Sequence, residues 1–269
     1  RDTDTREIRR NYDHIDEQAL TATPTRVTIA GRVMTRRVMG KAGFGDVHDE
    51  HGKIQIYAQR DRLADGVYNE LFRKLDIGDL IGVVGTLFRT RTGELTVQVE
   101  DIRLLVKGLR PLPDKFHGLA DVETRYRRRY VDLIVNEQSR QTFRRRAQIT
   151  ASLRRFLDQR GYLEIESPMM QVIPGGANAR PFITHHNALD MDLFMRVAQE
   201  LYIKRCLVGG FERVYEMNRN FRNEGLSTEH NPEFTMLEYN EAYLDYVDYM
   251  DLTEDMLRTV TEEVTGSTV

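Results

Sequence analysis

The feature that most constrains this chain is a change in the period of its apolar residues. Up to about residue 108 they tend to recur every second position, and from Gln141 they recur every third or fourth. A period of two suits a half-buried strand, whose successive side chains leave opposite faces, and a period near 3.6 suits an amphipathic helix. A strand-like stretch followed by a helix-led one predicts a β-rich unit and then a second unit with helices packed on a sheet. The 269 residues accommodate two such units at roughly 100–200 residues each.

Within the first stretch, Val27, Ile29, Gly31 and Val33 alternate with polar residues. Phe44–His48, Lys53–Ala58, Asp79–Phe88 and Glu94–Val106 supply four further strands, with turn signals at Glu50-His51-Gly52 and Thr92-Gly93. Leu63, Val67, Leu71 and Leu75 predict a short helix over Leu63–Leu75. Five strands with one helix after the third is the layout of an OB barrel, which binds oligonucleotides on its strand 2–3 face. Two prolines in Leu109–Pro113 exclude a helix there. The expected division is a barrel over 1–108, a linker or hinge over 109–140, and a second domain over 141–269, with the boundary near 105–120.

In the second stretch Phe143, Ala147, Thr150, Leu153 and Leu157 share one helical face, and Gly161 ends that helix. Tyr162–Glu166 reads as a strand closed by Ser167-Pro168, and Pro174-Gly175-Gly176-Ala177 as a loop. Strands are expected at Leu193–Val197, Phe211–Asn218 and Glu233–Tyr239, and helices at Gln199–Val208 and Tyr246–Val264. Long polar loops between the strands favour an antiparallel sheet, so the whole is expected to be α+β.

Charge narrows the partners. Thirty-nine Lys and Arg against 42 Asp and Glu give a formal charge of -3. Yet basic residues crowd into Thr35–Lys41, Thr124–Tyr130 and Arg144–Arg146, so an anionic partner can be met locally. No apolar run approaches the ~18 residues of a membrane span. The single cysteine, Cys206, cannot form an internal disulfide, which fits a reducing, cytoplasmic compartment; it reads as a small buried residue. His185 and His186 are adjacent on a strand and so face opposite ways, which argues against joint metal ligation. The tyrosines of 243–249 read as helix packing, and Thr124–Tyr130 as a contact for RNA backbone or for a second subunit.

The densest chemistry lies in Val214–Tyr239, where two strands flank a loop carrying Arg219, Arg222, Glu224 and His230. Arg222 offers a planar, permanently charged fork for carboxylate or phosphate. His230 and Asn231 can donate to phosphate oxygens, and Phe234 can present a flat face to a nucleobase. Glu238 shares the strand face of Phe234 and can point into the same pocket, where a carboxylate suits a cation.

Phe221-Arg222-Asn223-Glu224 followed by His230–Thr235 resembles motif 2 of class II aminoacyl-tRNA synthetases, and Gly161–Pro168 resembles their motif 1. Met39–Lys41, Arg110–Gly118, Pro174–Asp190 and Leu201–Glu212 are similar to the bacterial-type class II lysyl-tRNA synthetases, so the resemblance covers nearly the whole chain. It implies that lysine attacks the α-phosphate of ATP, and that the lysyl group then passes to tRNA(Lys). By motif, Arg222 would act catalytically, bridging the lysine carboxylate and the α-phosphate. Glu224 would meet the adenine amino group, His230 and Asn231 the phosphates and adenosine, and Phe234 the adenine ring. Glu200, with Gly175 and Gly176, would hold the lysine α-ammonium, and Glu238 and Asn240 the side chain. On the barrel, the resemblance assigns Phe44 and Gln55 to anticodon bases, Glu94 to a third contact, and Arg36 and Arg37 to phosphates. It also implies a homodimer formed through motif 1.

Two departures stand out. Asn240 occupies a position where the family usually has tyrosine. Either a bulge turns Tyr239 inward to compensate, or the grip on lysine is weaker. Nothing after Glu238 resembles the Gly-rich motif 3 that ends in arginine. The resemblance therefore places the Mg2+ ligands beyond residue 269, with no metal site in this chain, and implies that these residues alone do not aminoacylate. Competing readings are an aspartyl- or asparaginyl-type enzyme, a paralogue that lysylates a protein, and a non-catalytic tRNA-binding module.

Overall fold

Alternation along β1 (Arg26–Met39) buries Val27, Ile29 and Val33 and leaves their neighbours nearer the surface. The same logic builds β2 (Ala42–His48), β3 (Lys53–Gln59), β4 (Leu80–Arg89) and β5 (Leu95–Val106). These close into a barrel in the order β1-β2-β3-β5-β4, with β3 and β5 parallel and the other pairs antiparallel. This is the five-stranded OB barrel expected from the strand pattern. Ile54, Ile56, Ile81, Leu87, Val97 and Val99 fill it. Gly85 sits where β4 passes closest to β5. A Cβ there would lie 2.1 Å from the Gln98 carbonyl oxygen.

The structure, a computed structural model, describes residues 1–113, 119 and 121–267. Residues 114–118, part of the Arg110–Gly118 segment, lie outside the described residues. The chain divides into two units, Arg1–Asn136 and Glu137–Val269.

The first unit departs from the sequence reading in three places. Two helices precede the barrel, α1 (Thr5–Tyr12) and α2 (Glu17–Ala22), whose first turns are capped by the Asp4 and Asp16 carboxylates. Each buries a single apolar residue, Ile8 and Leu20, too few to show a period. Leu63–Leu75 is not one helix. Gly66, at φ 84°, starts only the four-residue α3 (Val67–Glu70), flanked by 3-10 turns at Arg60–Arg62 and Phe72–Lys74. Tyr68 and Phe72, stacked at 5.5 Å, anchor it rather than Val67 and Leu71. The stretch read as a linker holds α4 (Val122–Arg127) and α5 (Arg129–Val135), which share the buried Asp132. Its carboxylate accepts from Arg125 Nε at 2.9 Å and also pairs with Arg129.

The second unit contains α6 (Glu137–Gln159), β6 (Leu163–Glu164), β7 (Met170–Gln171), β8 (Ile183–His186), β9 (Met191–Met195), α7 (Glu200–Val208), β10 (Arg213–Phe221), β11 (Glu233–Glu241) and α8 (Tyr246–Thr265). One sheet runs β11-β10-β6, with β6 parallel to β10, and another runs β7-β9-β8, all antiparallel. Strand β7 was not expected, since two residues give no alternation to read; β8 is the strand on which His185 and His186 were read. Helix α8 starts in a capping box formed by Asp245 and Asp248 and ends at Gly266, φ 76°. Phe156 and Leu157 of α6 and Met256 and Val260 of α8 close over Tyr215, Leu237 and Tyr239 of the hairpin. Only the later half of the predicted α6 stripe is covered. Leu157 is buried, while Phe143 remains 45% exposed.

Candidate active site and nucleic-acid face

The register of the β10–β11 hairpin runs unbroken from Arg213 opposite Glu241 to Phe221 opposite Glu233. Residues opposite one another in an antiparallel ladder share a face. One face therefore carries Phe234, Met236, Glu238 and Asn240 beside Asn220, Asn218, Glu216 and Val214. The other carries Thr235, Leu237 and Tyr239 beside Arg219, Met217 and Tyr215, and packs against α6 and α8. Tyr239 belongs to this second face. Its ring stacks on Tyr249 at 5.6 Å and its hydroxyl lies 2.6 Å from Thr253 Oγ1. No bulge brings it round to Glu238, so the compensation considered for Asn240 does not occur.

Helix α7 lies against the first face. Gln199 precedes it, and its first residue is Glu200, whose carboxylate pairs with Lys204. The glycine loop is seated on the first turn of α7. A Cβ on Gly175 would lie 2.6 Å from Leu201 Cδ1, and one on Gly176 would lie 3.0 Å from Glu200 Cβ. Gly176 also has φ 88°, a conformation that disfavours other residues. Burial pushes the Glu238 carboxyl above its ordinary range, and the nearby Glu200 carboxylate pushes it further; Asn240 and Lys204 act the other way. Gly176 thus lies against Glu200, and Glu200, Lys204 and Asn240 all act on the Glu238 carboxyl.

Arg222 follows β10. Its backbone N–H donates to the Pro232 carbonyl at 2.8 Å, and its Nε donates to the Val197 carbonyl at 3.4 Å. Its guanidinium carbon lies 5.2 Å from the centroid of the Phe234 ring. Glu224 accepts from the Arg180 N–H at 3.3 Å, which ties the loop to the chain before β8. His230 and Asn231 are exposed, and the His230 ring is 2.9 Å from Ser227 Oγ within its own loop. The structure brings Arg222 and Phe234 together.

The β10 side of this face belongs to a buried polar layer to which the sequence reading assigned no role. Arg196 is fully buried. Its Nη1 donates to Glu216 Oε1 at 2.7 Å and to Ser167 Oγ at 2.8 Å, and its Nε donates to the Arg219 carbonyl at 2.8 Å. Gln199 and Asn220, also fully buried, join it. One signal was available: Glu216, Asn218 and Asn220 alternate along β10, marking a polar strand face.

Elsewhere in this unit, His185 and His186 are both exposed, with the His185 Nδ1 3.0 Å from Asp192. Cys206 is half-buried rather than buried. Of the tyrosines at 243–249, only Tyr249 packs; Tyr243 and Tyr246 are 91% and 77% exposed.

On the barrel, Arg37 lies opposite Phe44, and Phe44 opposite Tyr57, so the three share the outer face with Gln55. The Phe44 and Tyr57 rings stack at 4.5 Å, and Phe88 lies 6.0 Å from Tyr57. With Arg91 and Thr92 they line a hollow of about 440 Å³. Tyr57 and Phe88 extend the aromatic surface beyond the expected Phe44. Arg36 is not on this face. Its guanidinium is occupied by the carbonyls of Phe72, at 3.5 Å, and Arg73. The Glu94 carboxylate is held by Arg9 of α1 at 2.9 Å.

The sequence profile of "tRNA synthetases class II (D, K and N)" matches residues 121–269, and that of "OB-fold nucleic acid binding domain" matches residues 27–105. The chain is 59% identical over 268 residues to a protein named lysine–tRNA ligase from Serratia proteamaculans, covering 100% of this chain and 53% of that protein. It is 62% identical over 262 residues to one of the same name from Thioalkalivibrio sulfidiphilus, covering 97% and 52%. A third, from Aeromonas hydrophila, is 64% identical over 249 residues, covering 93% and 49%. The chain thus spans about half the length of the curated relatives it matches.

Proposed function

Because the chain belongs to the class II tRNA synthetases (D, K and N), we propose that it supplies the anticodon-binding barrel and the first part of the catalytic domain of a lysine–tRNA ligase. The observation that carries this reading is that the Glu200 carboxylate lies near enough to Glu238 to repel it, with the glycine loop packed on Glu200. Two carboxylates that repel one another are relieved by a substrate with two ammonium groups. The aspartyl and asparaginyl reading needs a basic group for the substrate side chain, and Lys204 is engaged by Glu200.

In the first step a lysine carboxylate oxygen attacks the α-phosphorus of ATP. A P–O bond forms, the bond to the bridging oxygen breaks, and pyrophosphate leaves with its electron pair. The step needs no protein nucleophile. It needs two anions held together and the growing charge neutralised. The Nη groups of Arg222 make no hydrogen bond among the described residues, which suits them to bridge both anions. Phe234 beneath that fork stacks on adenine. Glu224 reads the adenine amino group, and His230 and Asn231 approach the phosphates when their loop meets ATP. Gly175, Gly176 and Glu200 hold the α-ammonium, and Glu238 with Asn240 holds the ε-ammonium. Among the described residues no three His, Cys, Asp or Glu side chains gather where a metal ion could sit.

The barrel face of Arg37, Phe44, Gln55 and Tyr57 takes the anticodon of tRNA(Lys), with bases stacked on the rings. The early half of α6 and the segment to Pro168 form the homodimer contact; exposed Phe143 and Ile149 support this. The setting is cytoplasmic, and no helix among the described residues is long and apolar enough to cross a membrane.

The test is amino-acid-dependent exchange of pyrophosphate into ATP by the full-length protein. Exchange with lysine is expected. Exchange driven by aspartate or asparagine, or by no amino acid, would overturn the reading.

A further inference from the structure

Glu200 and Glu238 lie on different elements, the start of α7 and strand β11, and their charges repel. Something must hold the helix start against the hairpin. Arg196 ties the chain ahead of α7 to β10, and Gln199, next to the helix, reaches both strands. Gln199 stands at the N-cap of α7, yet its side chain makes no capping bond to that helix. Instead its Nε2 donates to the Glu216 carbonyl on β10 at 3.1 Å and to the Met236 carbonyl on β11 at 3.4 Å. Its Oε1 accepts from Asn220 Nδ2 at 2.6 Å. The carboxamide therefore spans both strands of the hairpin. It is bonded beside the position of Glu238 on one side and joined through the backbone to Glu200 on the other. Gln199 and Asn220 are both fully buried, so water does not compete for these bonds.

We propose that Gln199 is a positioning residue for the amino-acid site, whose carboxamide locks the start of α7 to both hairpin strands and so sets the spacing of Glu200 and Glu238. The inference rests on the reading of Glu200 and Glu238 as the lysine site. Gln199 touches no substrate. It acts through the two carboxylates, so its loss weakens lysine without weakening ATP. Gln199 follows Arg196 by three residues but is not bonded to it; the Arg196–Glu216 ion pair governs stability, and the carboxamide governs spacing.

The experiment uses the full-length protein and the same exchange assay, with lysine and ATP varied separately. Two variants are compared, Gln199→Met and the double variant Gln199→Met with Asn220→Leu. In the single variant Asn220 Nδ2 loses its best partner while remaining buried, so stability falls. In the double variant the stranded Asn220 amide is gone as well, so part of that loss returns, while the Glu216 and Met236 carbonyls still lack the Gln199 donor. The expected result is a KM for lysine raised about tenfold in both variants, with kcat and the KM for ATP within about twofold of the parent. The proposal is overturned if the lysine KM stays at the parent value, if it recovers together with stability in the double variant, or if both KM values rise alike. Where the single variant is too unstable to purify, the double variant carries the comparison. A parent protein that exchanges but whose variants keep its lysine KM refutes only the role of Gln199. A parent with no lysine-dependent exchange refutes the site reading and this inference with it.

Discussion

Replacing Arg196 by methionine should strip the second unit of its most consequential buried bonds. Arg196 is fully buried, and its guanidinium donates to Glu216 Oε1, Ser167 Oγ, the Ser167 carbonyl and the Arg219 carbonyl. Methionine keeps much of the volume and none of the bonds. The Glu216 carboxylate, 1% exposed, then keeps only Ser167 and Asn218 as partners. Leaving one member of a buried ion pair uncompensated costs about 3–5 kcal/mol. For a unit of this size each kcal/mol moves the melting temperature by about 3 °C, so a fall of about 10–15 °C is expected. Calorimetry of the chain should place that fall in the transition of the second unit alone. The double variant Arg196→Met with Glu216→Met should recover more than half of it, because the buried charge is gone. The pair is not ideally satisfied in any case, since Arg196 Nη2 has no partner among the described residues. A fall below about 3 °C would refute the reasoning, as that is roughly 1 kcal/mol. A double variant no more stable than the single would show that lost packing, not stranded charge, is the cause.

Three further outcomes are expected. Burial and the Glu200 charge raise the Glu238 carboxyl, so the folded state binds its proton more tightly than the unfolded chain and ionisation opposes folding. Glu238→Gln should then stabilise the second unit at pH 7, by no more than about 1 kcal/mol because solvent screens the half-buried carboxylate. In melts at a series of pH values, the gain should shrink as pH falls through the raised folded value toward the unfolded value near 4.5. On the barrel, Arg37→Ala should lower the salt dependence of single-stranded RNA binding by about one unit of slope. Arg36→Ala should change that slope less, because its side chain leaves β1 on the opposite face and is held at the Phe72 and Arg73 carbonyls; anisotropy titrations at several salt concentrations separate the two. Gly85→Ala drives a methyl group onto the Gln98 carbonyl, so denaturant unfolding should report a loss of about 1–3 kcal/mol confined to the first unit.

Much of the fold was legible in the amino-acid order because period is a local property. Val27, Ile29 and Val33 mark a strand face whatever they pack against, and Leu153 and Leu157 mark a helix face in the same way. Elements with little apolar repetition escaped: α1 with Ile8 alone, α2 with Leu20 alone, and the two-residue strand Met170–Gln171. The helix expected at Leu63–Leu75 failed because Gly66 starts a new turn and two aromatic rings, Tyr68 and Phe72, supply the anchor.

What the sequence determined by itself was the identity and order of the chemical groups: the Arg222 fork, Phe234 on an alternating strand, acids at 200 and 238, and glycines at 175 and 176. Tertiary structure decided which of them meet. It put Tyr239 in the core and Asn240 beside Glu238, because an unbroken ladder leaves no residue to shift the faces. It gave Arg36 the Phe72 and Arg73 carbonyls and gave Glu94 to Arg9. It also made Arg196, Gln199 and Glu216 one buried layer, although they come from β10 and the segment before α7. The reason is that a period says which way a side chain leaves its own backbone. Whether it finds a carbonyl, a carboxylate or water depends on segments far away in sequence, brought near only when the sheet closes.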